Sequence, residues 1–192
     1  MNRIYVLTGL SGAGKDTLAK ELIEYDEDVV QVQWSGIAKR TYENWYGIPK
    51  GSLDDREFRL QNIPGFDKSY LQVLIDAYTK WDEIDPRLTV RPTLRYIHAL
   101  LDQGHDIVIT DTRKKEEADD LFNLVMYERP EVCLFHVSLE GREGEKKLES
   151  DDNLEYNQDK LGLCADGDFT FFNDEGIDKV ELFAVHLLTS ER

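Results

Sequence analysis

Cysteine is scarce, with 2 in 192 residues, and neither Cys133 nor Cys164 belongs to a CxxC or Cys/His pattern. That excludes a disulfide framework and a thiolate metal site, and it leaves Cys133, in an apolar run, as a core residue. Apolar runs of membrane length are missing as well. Met1 leads within two residues into a strand pattern, so neither a spanning helix nor a signal peptide is expected. Positive charge is in deficit: 23 basic residues face 39 acidic ones, for a net charge of -16. Such an excess repels polynucleotides and anionic membranes, so an anionic ligand must be met by a local cluster of amides, lysines and arginines. The expectation is a soluble, cytoplasmic protein with no polynucleotide or membrane partner, and a homodimer stays open.

What is present suffices for a core. Hydrophobic residues make up 41% and aromatics 10% of the chain, and this length suits one compact α/β domain spanning 1–192. Arg3 to Thr8 is a short apolar run that ends at glycines, the pattern of a central parallel strand. Asp16 to Tyr25 follows with apolar residues at helical spacing. Further strands are expected at Val29 to Trp34, Asp106 to Thr110, Val132 to Val137 and Phe169 to Phe172. Helices are expected at Gly36 to Trp45, Asp67 to Trp81 with Asp67 as cap, Pro92 to Leu101, Lys114 to Tyr127 and Ile177 to Leu188. This alternation predicts a three-layer α/β fold, a five-stranded parallel sheet with right-handed crossovers and helices on both faces, and the glycine motif GLSGAGKDT after its first strand makes it one of the P-loop type. Residues 35–105 read as a helical insertion on the acceptor side, with Gly47 to Gly65 irregular. Residues 139–168, polar and charged, read as a mobile flap.

The segment GLSGAGKDT matches G-x-x-x-x-G-K in Gly9, Gly14 and Lys15, between a strand and a helix. Glycines let successive N–H groups of Ser11, Gly12, Ala13 and Gly14 turn inward, and the helix start adds partial positive charge for a polyphosphate. Lys15 is expected on the β and γ phosphates of ATP. The next residue, often a hydroxyl that meets Mg²⁺, is Asp16, with Thr17 after it. A carboxylate can hold that hard ion directly or through water, or serve only as a favourable charge at the helix start.

A second constellation stands at the carboxyl end of the third strand, where open α/β sheets bind ligands. Asp111 could position Mg²⁺, and the planar fork of Arg113 could clamp an acceptor phosphate; an ion pair between the two is the structural alternative. Lys39, Arg40, Arg91 and Arg95 are helical cations that could serve the acceptor. Arg142, ahead of Lys146 and Lys147, is the flap cation expected to reach the transferring group. Asn173 and Asp174, with Gly176, form a turn expected to pass the nucleotide base, or an ordinary turn.

Together GLSGAGKDT, LRYIHALL, DIVITDTRKKEEAD, FHVSLEGRE and FFNDEGIDKVELF resemble the bacteriophage deoxynucleoside monophosphate kinases. The most specific blocks are the GKD form of the loop and the Asp-Thr-Arg after the third strand. The resemblance implies transfer of the γ-phosphoryl of ATP, with Mg²⁺, to a (deoxy)nucleoside monophosphate, and a host-cytoplasmic location if the source is viral. It places Lys15 at the donor and Arg113 at the acceptor phosphate, with Arg95 and Arg142 matching less closely. Gly47 to Trp81 does not follow the family. Animal-type phosphomevalonate kinases share the GKD loop, so a kinase of another phosphorylated metabolite is the alternative. A noncatalytic nucleotide-binding module is a further one.

Overall fold

A computed structural model describes residues 1–140, 153–173 and 177–190. In chain order the elements are β1 (Arg3–Thr8), α1 (Lys15–Tyr25), β2 (Val29–Val32), α2 (Gly36–Tyr46), a 3₁₀ turn (Ser52–Asp54), α3 (Arg56–Leu60) and α4 (Tyr70–Ile84). There follow α5 (Val90–Asp102), β3 (Asp106–Ile109), α6 (Lys115–Asn123), a π-helical turn (Leu124–Glu128), β4 (Cys133–Glu140), α7 (Leu154–Gly162), β5 (Gly167–Phe172) and α8 (Ile177–Thr189). The residues fall into two compact units, Met1–Gln33 with Leu94–Arg192, and Trp34–Thr93.

The first unit holds the sheet, all parallel, in the order β2-β3-β1-β4-β5. β1 lies in the middle, which explains why five of its six residues are buried and why its run is continuously apolar instead of alternating. Tyr5, Leu7, Phe135, Val137 and Leu139 pack with Leu18 and Leu22 of α1 and Val180, Ala184 and Leu187 of α8. Each of the leucine, valine and phenylalanine side chains taken out of water contributes about 1.5–3 kcal/mol, before the cost of ordering it. Successive strand residues point to opposite faces, so Ile4, Val6, Thr8, His136 and Ser138 look the other way. There α7 meets them, with Gln158 Nε2 donating to Ser138 Oγ at 2.8 Å. Among the described residues, no helix is long and apolar enough to cross a membrane.

Several expectations shift. β4 runs on to Glu140, because Ser138, Leu139 and Glu140 continue the ladder opposite Thr170, Phe171 and Phe172. The polar Ser138 and Glu140 disguise that extension. α6 ends at Asn123, and the next five residues widen into the π turn. Of the segment read as a flap, Leu154–Gly162 is a helix seated by the buried Asn157 and Leu161, and residues 141–152 lie outside the described ones.

In the second unit, the stretch expected to be irregular contains the 3₁₀ turn and α3. Buried Glu43 orders it by accepting from the amides of Gly51 and Leu53, both at 2.9 Å, and Leu53 joins Ile63, Tyr70 and Leu74 in a small core. α4 starts at Tyr70, and its cap is Ser69, not Asp67. The Ser69 hydroxyl accepts from the Gln72 amide while the Gln72 side chain accepts from the Ser69 amide, a reciprocal box that Asp67 does not make. Ile75 of that helix is 54% exposed.

Candidate active site

The loop after β1 is shaped by three glycines at positive φ: Gly9 (135°), Gly12 (94°) and Gly14 (100°). Two of them are also required by close approach. A Cβ on Gly9 would stand 2.4 Å from the Leu139 carbonyl oxygen, and one on Gly14 would stand 2.3 Å from Asn173 Nδ2. Gly14 is the N-cap of α1 and has no side chain with which to cap that helix start. Its first amides are therefore donors of the kind that bind phosphate, reinforced by the helix dipole. The Lys15 ammonium folds back over the loop and donates to the carbonyls of Gly9 (2.6 Å) and Leu10 (2.7 Å).

Lys15 and Arg113 line one small cavity of about 10 Å³, whose other walls include Thr8, Gly9, Thr110 and Thr112. Adjacent strands explain the meeting: β1 delivers the loop and its neighbour β3 delivers Asp111, Thr112 and Arg113 at the same carboxyl edge. Two residues that the sequence reading passed over hold this second loop. Glu117 Oε2 accepts from the backbone amides of Arg113 (2.7 Å) and Lys114 (2.9 Å), and Asn157 Nδ2 donates to the Thr112 carbonyl at 3.2 Å. Burial, then the nearby Asp111, push the Glu117 carboxyl up to about 8 against the pull of the two amides. The signal for Glu117 was present, since an acid three residues after a helix start is a capping pattern. Nothing local marks Asn157.

Asp16 is exposed in the first turn of α1, Thr17 and Ser11 are half-buried, and Ala13 is buried. Asn173, expected along the path of a base, is 2% exposed and donates through Nδ2 to the Ala13 carbonyl at 2.8 Å. Arg95 is exposed on α5. Lys39 and Arg91 belong to the second unit, where Lys39 pairs with Asp54 at 3.3 Å and Arg91 with Asp85 at 2.5 Å. Arg40 pairs there with Glu43 and Asp54. Arg142, Lys146, Lys147, Asp174 and Gly176 lie outside the described residues.

No protein-family model matches the chain, and no curated protein matches its sequence. Solved structures do match in fold. Dephospho-CoA kinase from Campylobacter jejuni aligns over 98% of this chain and 96% of its own at 13% identity, with a TM-score of 0.52. A putative kinase from Chloroflexus aurantiacus aligns over 99% and 98% at 11% identity and TM-score 0.51. The tunicamycin resistance protein of Deinococcus radiodurans aligns over 100% and 98% at 13% identity and TM-score 0.50. The chain therefore shares the fold of these proteins, a P-loop-type parallel five-stranded sheet with helices around it.

Proposed function

We propose that the protein is a kinase that transfers the γ-phosphoryl group of ATP to the phosphate of a (deoxy)nucleoside monophosphate, giving the diphosphate. The observation that carries this reading is the meeting of Lys15 and Arg113 on one cavity at the carboxyl edge of the sheet. A donor loop alone would suit any nucleotide binder. An arginine on the same cavity wall, from the loop after the neighbouring strand, adds what a phosphorylated acceptor needs.

Phosphoryl transfer asks mainly for alignment and charge stabilisation. The amides of residues 11 to 17 would cradle the polyphosphate, and Lys15 would exchange its two carbonyl partners for phosphate oxygens. Arg113, its backbone pinned by Glu117, would hold the acceptor phosphate in line. That phosphate oxygen is already nucleophilic, so no strong general base is needed. Mg²⁺ is usually held by one or two carboxylates plus substrate phosphates and water. Asp16 and Asp111 would supply the carboxylates, and the ion would neutralise charge on the transferring group.

The test is a phosphorylation screen with ATP and Mg²⁺ over the common nucleoside and deoxynucleoside monophosphates, with phosphomevalonate and phosphorylated sugars alongside. Product with one or more nucleotides is expected. Turnover confined to a non-nucleotide acceptor would replace the acceptor half of the reading, and no turnover with saturable ATP binding would leave a binding module.

A further inference from the structure

Beneath the phosphate loop, side chains from three adjacent strands form a hydrogen-bonded chain with no part in the mechanism above. Thr8, the last residue of β1, has its Oγ1 2.9 Å from Nε2 of His136 on β4. His136 Nδ1 in turn lies 2.8 Å from Asp168 Oδ1 on β5. Thr8 and His136 are each 2% exposed, whereas the Asp168 side chain is 59% exposed and opens on a cleft of about 570 Å³ lined from β4, β5 and α7. The chain thus runs from solvent to the residue that stands with Lys15 and Arg113 on the cavity wall. The last turn of α7 covers it closely, since a Cβ on Gly162 would sit 3.0 Å from Asp168 Oδ2 and 3.9 Å from His136 Nδ1.

Chemistry sets the direction of each bond. An ionised carboxylate only accepts, so Nδ1 of His136 carries a hydrogen. In a neutral imidazole Nε2 is then bare, and the Thr8 hydroxyl must donate to it. Burial lowers the His136 pKa more than Asp168 raises it, which keeps the ring neutral near neutral pH. Among the described residues, the charged groups on its cleft are Asp168 from β5 and Asp159 from α7, β1 offers Thr8 and β4 itself Ser138, and Lys15 and Arg113 stand beyond Thr8 on the cavity wall. The Thr8 oxygen consequently has only lone pairs left for the cavity, a poor neighbour for a phosphate oxygen. Once Nε2 carries a hydrogen the hydroxyl reverses, accepting from the ring and offering its own hydrogen to an anion.

We propose that Asp168 and His136 are positioning residues that set the donor sense of the Thr8 hydroxyl beside the phosphate loop, so that anion binding there draws a proton onto His136. This rests on the phosphate-loop reading. By linkage the coupling is reciprocal: what favours the protonated ring favours the anion.

Asp168→Asn tests it at an exposed position and with the same shape. The new amide can donate to Nδ1, which moves the ring hydrogen to Nε2 and makes Thr8 a donor without proton uptake. Long-range proton–nitrogen correlation spectra of the full chain, which has 4 histidines, should show His136 as the Nδ1–H tautomer in the native protein and Nε2–H in the variant. An Nε2–H tautomer in the native protein overturns the proposal. Titration with sulfate, a dianion throughout this range, at about pH 7.5 and about pH 5.5 should show native affinity rising toward acid by roughly fivefold or more beyond any rise in the variant. Equal pH dependence in the two proteins overturns the relay while leaving the phosphate loop standing. Absence of sulfate binding in both proteins defeats the phosphate-loop reading and the relay with it.

Discussion

Asn173 and Ala13, 160 positions apart, are joined by a 2.8 Å hydrogen bond from the asparagine amide to the alanine carbonyl. The bond reaches the inside of the phosphate loop from the end of β5 and fixes the peptide that precedes Gly14. Asn173→Ala leaves that carbonyl without its partner, a loss of about 1–3 kcal/mol for a buried group. We expect nucleotide affinity to fall roughly tenfold, measured by calorimetry, with the sheet intact by circular dichroism. Unchanged affinity would show that the loop holds its shape without this bond.

Lys15→Ala should abolish phosphoryl transfer with little change in thermal stability. The ammonium donates to two carbonyls of its own glycine loop, outside the packed core, so its removal should cost the fold little, while the transferring group loses a charge-assisted partner. The measurements are a coupled ADP assay and a melting curve. A normal kcat would overturn the role of Lys15 in the proposed reaction.

Arg113→Lys keeps the charge and loses the planar fork. If Arg113 grips the acceptor, kcat/KM for the monophosphate should drop roughly tenfold to a hundredfold, as expected from losing about 1.5–3 kcal/mol of charged hydrogen bonding. ATP binding should stay near normal. Equal damage to both substrates, or to neither, would remove the acceptor role.

Glu117 gives the chain a pH signature. Its carboxyl is raised from 4.5 to about 8 in the folded state, so between those values the folded chain holds a proton that the unfolded chain releases. Stability from this group is therefore fully present below the unfolded value and is lost as pH rises through about 8. Glu117→Gln keeps an oxygen for the amides of Arg113 and Lys114 and cannot ionise. Urea unfolding at about pH 6 and about pH 9 should show a clear fall for the native protein and a smaller one for the variant. Parallel falls would assign the effect elsewhere.

The framework was legible because β1, β3 and the start of β4 are uninterrupted apolar runs, and because Gly9, Gly14 and Lys15 fall at fixed spacing between a strand and a helix. What escaped depends on distant partners. His136 drew no notice within its apolar strand, because its partners Thr8 and Asp168 come from two other strands. Asn173 looked like a turn former, and its target is Ala13. The cap of α4 was misplaced because Asp67 and Ser69 both suit that role by type, and only the reciprocal bond with Gln72 separates them. The stretch from Gly47 to Gly65 looked shapeless because its order comes from Glu43, an acid that burial on α2 turns into an acceptor for backbone amides.

The central place of β1 governs how the molecule can be made. Ile4 pairs with Ile107 on one side and Leu134 on the other, so the strand emerges from the ribosome long before either neighbour exists. Until then it is an apolar segment with both edges bare, the kind of species that chaperones hold. The phosphate loop waits longer still, because Asn173 is synthesised after every strand has been completed. A nascent chain halted short of that residue would carry the whole glycine motif and lack the bond to Ala13 that holds it in shape.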